Sequence, residues 1–303
     1  MTSTPIDKFL TQHKDVFDLA HEVEDHSSCL LSEFNKHQIK LFDLKPHQRI
    51  FLFIMTRSLK TYSSILVLCE QGYGQDVSML VRGLLENLIT CRYILVDKHN
   101  ADDKAARFVG YKWVIFKRNL SEQDEKLMTM TEDQRSDFLR RKNRIHMRVE
   151  EFKKKFQIES DRGLLSWSGK TVRDMARAVN KDLLNEYETT FRLCSRFSHP
   201  SILGDQEYMI QDNKNLTFSP LPSPLGIIPN MRSAVKYAIE FQKIIIELFD
   251  FPFKHQIKTL TAKHQSVFQA IKSPDDSSPP KTLDKNTLLR ESIIVFETDP
   301  PQN

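Results

Sequence analysis

Arg192, Ser195 and His199 follow one another at steps of three and four residues, so on a helix their side chains fall nearly into line on one face. An imidazole beside a guanidinium and a hydroxyl suits proton transfer at a phosphate. The histidine acts as general acid or base, and the arginine stabilises the charge that develops. Pro200 ends this helix directly after His199. A second polar set stands earlier. Arg82 and Glu86 lie one helical turn apart in an otherwise apolar stretch, and Arg57 sits in the apolar stretch before it.

These residues need a frame. Ile50 to Cys69 and Val77 to Val96 are two apolar helical patterns joined by the turn Gln71-Gly72-Tyr73-Gly74, which predicts an antiparallel helical hairpin. Residues about fifteen positions either side of the turn then stand opposite one another, because both helices rise equally per residue. This places Arg57 near Glu86. The second helix is apolar nearly all round and is expected to be central and covered on every side, where charges need partners. If the Arg192 face packs on the hairpin, then Arg57, Arg82, Glu86, Arg192 and His199 meet in one pocket. Three readings of that pocket stay open: a buried ion network that fixes helix register, a catalytic site, or a small-ligand pocket.

The rest of the chain is also helical in pattern. Residues 5 to 37 form one amphipathic helix or two, and residues 102 to 119 another. Glu132 to Phe156 keeps Phe138, Ile145, Val149 and Phe152 on one stripe and carries a cationic face with Arg140, Arg141, Arg144 and Arg148. Those four arginines are the candidate RNA contacts, set against the ordinary alternative of a solvated face. Thr171 and Asp174 form a capping box. Further helices are expected from Asp182 to Ser198, Met231 to Phe249 and Phe253 to Ile271, with one small hairpin between Tyr208 and Phe218. The expected architecture is all-α: a bundle built on a long antiparallel hairpin, with at most one short β-hairpin. It divides into an N-terminal helical segment (1–44), a helical domain (45–272) and a disordered tail (273–303). The tail's apolar Ser292-Ile293-Ile294-Val295-Phe296 is a candidate contact for a protein partner.

Composition narrows the classes. Apolar residues at 40%, charged residues at 28% and only 8 glycines suit a helical globular chain. A net charge of +4 is too slight for a wholly basic nucleic-acid binder. The start MTSTPIDKFL lacks a secretory pattern, and no apolar run looks long enough to span a bilayer, so a cytoplasmic protein with no membrane contact is expected. The four cysteines form no CxxC pair. GLLSWSGKT, from Gly163, has five residues between its glycines where a phosphate-binding loop needs about four. HEVEDH, from His21, sets its histidines at i and i+5 on different faces, so both read as surface residues. Neither a metal nor a cofactor is implied.

Three segments carry a family likeness. RSLKTYSSILVLCEQGYGQDVSMLVRGLLENL from Arg57, WSGKTVRDMA from Trp167 and YETTFRLCSRFSHPS from Tyr187 resemble, in order, an uncharacterised bacterial family catalogued as domain of unknown function 5677. The likeness spans about residues 45 to 250 and implies an all-helical protein of unassigned activity. Its landmarks fall at Arg57, Arg82, Glu86, Trp167, Tyr187, Ser198 and His199. More distantly, the pattern resembles the HEPN superfamily of helical bundles, many of them metal-independent RNA-cleaving toxins or defence effectors. Their signature is an arginine and a histidine separated by four to six residues, and Arg192 with His199 fits it. Arg141 with His146 and Arg92 with His99 fit equally, as chance allows in a chain with 10 histidines, and Leu193 departs from the polar residue those proteins favour after the arginine. The resemblance implies an endoribonuclease working as a homodimer on RNA. The alternative is a non-catalytic interaction or sensor protein.

Overall fold

The computed structural model describes residues 4–121, 129–197, 209–212, 215–218 and 222–271. Over these residues the chain is an all-α bundle with one two-stranded hairpin. The expected disorder after Ser273, and the apolar motif Ser292 to Phe296, lie outside the described residues, as do Ser198 and His199.

Helix α1 (Pro5–Gln12) starts on a capping box, with Thr4 and Asp7 satisfying one another's amides. It gives way at His13 to α2 (Lys14–Lys36). The predicted hairpin forms from α3 (Pro46–Glu70) and α4 (Ser78–Leu95). Gly72 takes φ +85° in the connection, and a Cβ there would stand 2.8 Å from side-chain atoms of both Ile6 and Pro222, so only glycine lets the turn sit beneath α1.

The stretch expected as a single helix from 102 to 119 is two: α5 (Ala101–Gly110) and α6 (Lys112–Ser121), which break at Tyr111. The break lets the Tyr111 hydroxyl reach the carbonyls of Leu164 and Leu165, at 2.8 and 3.0 Å. Helix α7 (Glu132–Lys155) runs back along α6, capped by Thr131 and Gln134. The Thr171 cap is as predicted, with the Asp174 amide donating to its hydroxyl at 3.1 Å, and it opens α8 (Val172–Val179). The helix expected from Asp182 is interrupted. It comprises α9 (Lys181–Glu186), a π-helical turn (Tyr187–Phe191) and α10 (Arg192–Phe197). Strands β1 (Met209–Asp212) and β2 (Asn215–Phe218) pair antiparallel where the hairpin is expected.

Helix α11 (Ile227–Phe249) begins earlier than expected, taking Pro229 into its first turn, where a missing amide costs nothing. It shares the centre of the bundle with α4. Met231, Ala234, Val235, Phe241 and Ile245 are fully buried, and α2, α3, α4 and α12 (Lys254–Ala270) all pack on it. Helix α4 is covered nearly all round, as expected: the successive residues Leu88, Ile89, Thr90 and Cys91 are all buried, and α3, α5, α8, α10 and α11 pack on it, while Met79 and Glu86 look outward. Helix α3 is long and apolar enough, by length and composition, to cross a membrane, contrary to the reading of its sequence. Its apolar face packs on α2, α4, α5 and α11, while Arg57 and Lys60 stay in solvent.

Polar groups pin the core. Gln242 on α11 is buried and donates to the Val23 carbonyl at 2.8 Å and to Ser27 Oγ at 2.6 Å, and its Oε1 meets His26 Nδ1 at 2.7 Å. His26 is therefore half-buried against the core and not a surface histidine. Asn230 donates to the Gly74 carbonyl at 2.7 Å and ties the hairpin turn to α11.

Candidate functional site

The register of the hairpin is fixed by Asn87, whose Nδ2 donates to Ser58 Oγ at 3.1 Å. Those two residues each follow the pair singled out from the sequence, so the level along the helices was read correctly and the rotation was not. Arg57 and Glu86 are both exposed and make no ion pair with one another. The physical reason is the position of α3's apolar arc. Phe51, Met55, Ser58, Tyr62 and Cys69 face inward, and Arg57 belongs to the opposite stripe with Phe53, Lys60, Ser64 and Val67. A buried Arg57–Glu86–Arg82 network is thereby excluded.

Arg82 is half-buried for a different reason. Its guanidinium lies over the Phe191 ring, 4.6 Å from the centroid. Phe191 closes the π-helical turn and stacks on Tyr187 at 4.6 Å, so the extra residue of that turn directs an aromatic platform at α4. Arg192 comes next but points away. It is 69% exposed and pairs with Glu188 at 3.1 Å. Glu188 also receives Arg173, and these two partners, Arg173 foremost, hold its carboxyl below the usual range. The Ser195 hydroxyl donates to the Phe191 carbonyl at 2.6 Å and stays on its own helix. The described part of the predicted set thus splits in two: Arg82 with the π-turn, and Arg57, Glu86 and Arg192 in solvent. His199 lies outside the described residues.

The buried thiols Cys69, Cys91 and Cys194 are poor nucleophiles. Burial pushes Cys194 up to about 11, against a smaller opposing pull from Arg82, and pushes Cys69 up to about 12. Among the described residues no group of three His, Cys, Asp or Glu side chains could hold a metal ion.

Arg140, Arg141, Arg144 and Arg148 are all exposed on α7. The stripe they make is not uninterrupted. Asp137 pairs with Arg140, and Glu151 takes Arg148 at 2.7 Å, so acids punctuate the cationic face.

Two features escaped the sequence reading. Arg92 on α4 and Glu240 on α11 form a half-buried pair at 2.6 Å. A cleft of about 470 Å³ opens where α3, α5, α6 and α7 converge, lined by Arg49, Gly110, Trp113, Phe152 and Lys155 among others. No local spacing signals either one, because the participating residues stand far apart in the chain.

The arrangement defines a helical-bundle protein with an outward mixed face on its hairpin and an aromatic-backed arginine beside a π-turn. The chain belongs to the family described as "Family of unknown function (DUF5677)", whose sequence model matches residues 48–216, from α3 through β2. The central helix α11 falls outside that match. No curated protein and no solved structure matches the chain.

Proposed function

We propose that this chain is a self-associating helical interaction protein whose α3–α4 face binds the same face of a second copy. The observation behind this reading is the outward stripe. Phe53, Val67 and Met79 are 65%, 57% and 51% exposed, and Arg57, Lys60 and Glu86 stand among them. With Ser58 level with Asn87, Arg57 and Glu86 differ in height by only about two residues, roughly 3 Å, and Val67 and Met79 by about one. A two-fold axis running along the helices lays α3 of one copy over α4 of the other at equal height. Arg57 then meets the second copy's Glu86, Val67 meets Met79, and each contact occurs twice, as an isologous interface requires.

Sedimentation velocity tests this. The wild type should sediment as a dimer. Arg57→Glu and Glu86→Arg should each weaken association by about tenfold or more, and the two combined should restore it. A wild type that stays monomeric, or a double variant no better than the single ones, removes the reading.

A second reading is metal-independent RNA cleavage of toxin or antiviral-defence type. The observation that favours it is the π-helical turn, a feature that gathers at functional sites, which supports Arg82 and leads the chain through Arg192 toward His199. In this reading His199 moves the proton at an RNA 2′-hydroxyl and Arg82 stabilises the phosphate. Purified protein should then degrade RNA, and His199→Ala should abolish this with the melting temperature nearly unchanged. RNA left intact by wild-type dimers argues for the non-catalytic reading.

A further inference from the structure

We propose that the cleft between the α3–α5 corner and the α6–α7 arm binds a small anion that carries a flat apolar ring. The cavity, about 470 Å³, lies in the size range of small-molecule sites. Its walls divide by chemistry. On one side α5 presents Ala105, Ala106 and Val109. On the other, Phe152 and Phe156 from the end of α7 meet Trp113 from the start of α6, an apolar and aromatic surface matched to a ring.

Gly110 sets the depth of this wall. A Cβ there would stand 2.7 Å from a ring carbon of Phe152, so any larger residue would drive that ring out of position. The Phe152 ring, which is buried, and the Phe156 ring lie 5.0 Å apart and brace one another.

Charge selects the sign of the ligand. Arg49, Arg148 and Lys155 reach the cleft against one acid, Glu151. Glu151 is taken by Arg148 at 2.7 Å, which leaves Arg49 from the first turns of α3 and Lys155 from the end of α7 on opposite banks. Two cations over an aromatic floor fit a phosphate, sulfonate or carboxylate attached to a flat ring, since each charge-assisted contact adds to the burial of the ring. A neutral apolar ligand would leave both cations without a counter-charge, and a bare inorganic ion would leave the aromatic floor unused.

The test uses the full chain and 8-anilinonaphthalene-1-sulfonate, a flat ring system with one anionic group. Its fluorescence should rise on binding at one site per chain, and Trp113 emission should be quenched in step. Arg49→Glu should weaken binding by about tenfold or more, as should Lys155→Glu. Ala106→Phe, which fills the cleft, should abolish it. Lys155 is exposed, so its variant keeps the test decisive even if Ala106→Phe does not fold.

Displacement by adenosine 5′-monophosphate or by indole-3-carboxylate separates a nucleotide-like from a carboxylate source. Displacement by inorganic phosphate alone would overturn the ring requirement. Binding that is unchanged in Arg49→Glu and Lys155→Glu, or no saturable binding at all, would overturn the site.

Discussion

The bundle around α11 and the arm built from α6 and α7 both bury phenylalanines, in very different surroundings. Phe241 on α11 is fully covered within a cluster drawn from α2, α3, α4, α8, α9, the π-helical turn, α10, α11 and α12. Phe152 on α7 is also buried, but within a small separate cluster of Tyr111, Val114, Phe152 and Leu164. Trp167 touches both clusters and is their link, with its ring edge-on to Tyr93 at 5.8 Å and to Phe108 at 5.2 Å. Burial of one side chain therefore does not measure its weight in the fold. What matters is how many elements lose their packing when it is removed.

Two substitutions break this comparison open. Phe241→Ala should cost about 3–5 kcal/mol, because surrounding helices on every side cannot collapse into the void. It should lower the unfolding midpoint of the whole chain in a denaturant titration. Phe152→Ala should cost no more than about 3 kcal/mol and act locally. Hydrogen exchange should then show lost protection in α6 and α7 with α11 unchanged. Equal losses across both regions would mean the arm and the bundle unfold as one unit.

The bundle should also respond to acid through His264 on α12. The ring's Nε2–H donates a hydrogen bond to the Arg232 carbonyl, 3.0 Å away, and the ring is half-buried. Burial, with Lys236, Arg232 and Lys243 nearby, lowers its pKa below the ordinary 6.5. Folding thus favours the neutral ring. Stability from this group is complete above about pH 6.5 and is lost as the pH falls from there through the lower folded value, because the unfolded chain then binds the proton first. Urea midpoints measured across that window should fall in the wild type and flatten in His264→Gln. A parallel fall in both proteins would locate the acid response elsewhere.

The two regions were not equally legible in the sequence. The bundle's helices announce themselves by apolar spacing, and the cap at Thr171 is written in residues three apart. The hairpin's level was legible because equal rise per residue fixes it, whereas its rotation depended on which arc of α3 faces α11. The stripe Phe53, Arg57, Lys60, Ser64 and Val67 holds that answer, but two apolar members hide it among the core positions. The π-turn has no propensity signature, so the stacking of Arg82 on Phe191 stayed hidden. The cleft is assembled from four segments between Pro46 and Phe156 whose convergence only the fold supplies.

The smallest effect is expected at the exposed rim of the cleft on α7, and it sharpens the contrast with the pinned core. Arg148 and Glu151 approach to 2.7 Å but remain more than half exposed, so water competes for both groups and each side chain loses rotamer freedom when they pair. A double-mutant cycle with Arg148→Ala and Glu151→Ala should give a coupling of about 0.5 kcal/mol or less, and it should shrink further toward about 1 M salt, where the Debye length falls to about 3 Å. Arg141 and Arg144, on the same exposed surface, should each tolerate alanine with a change within about 0.5 kcal/mol. A coupling well above about 1 kcal/mol that survives high salt would show that α7's cationic face is held in a fixed arrangement. The arm would then be a structured binding surface and not a solvated flank of the bundle.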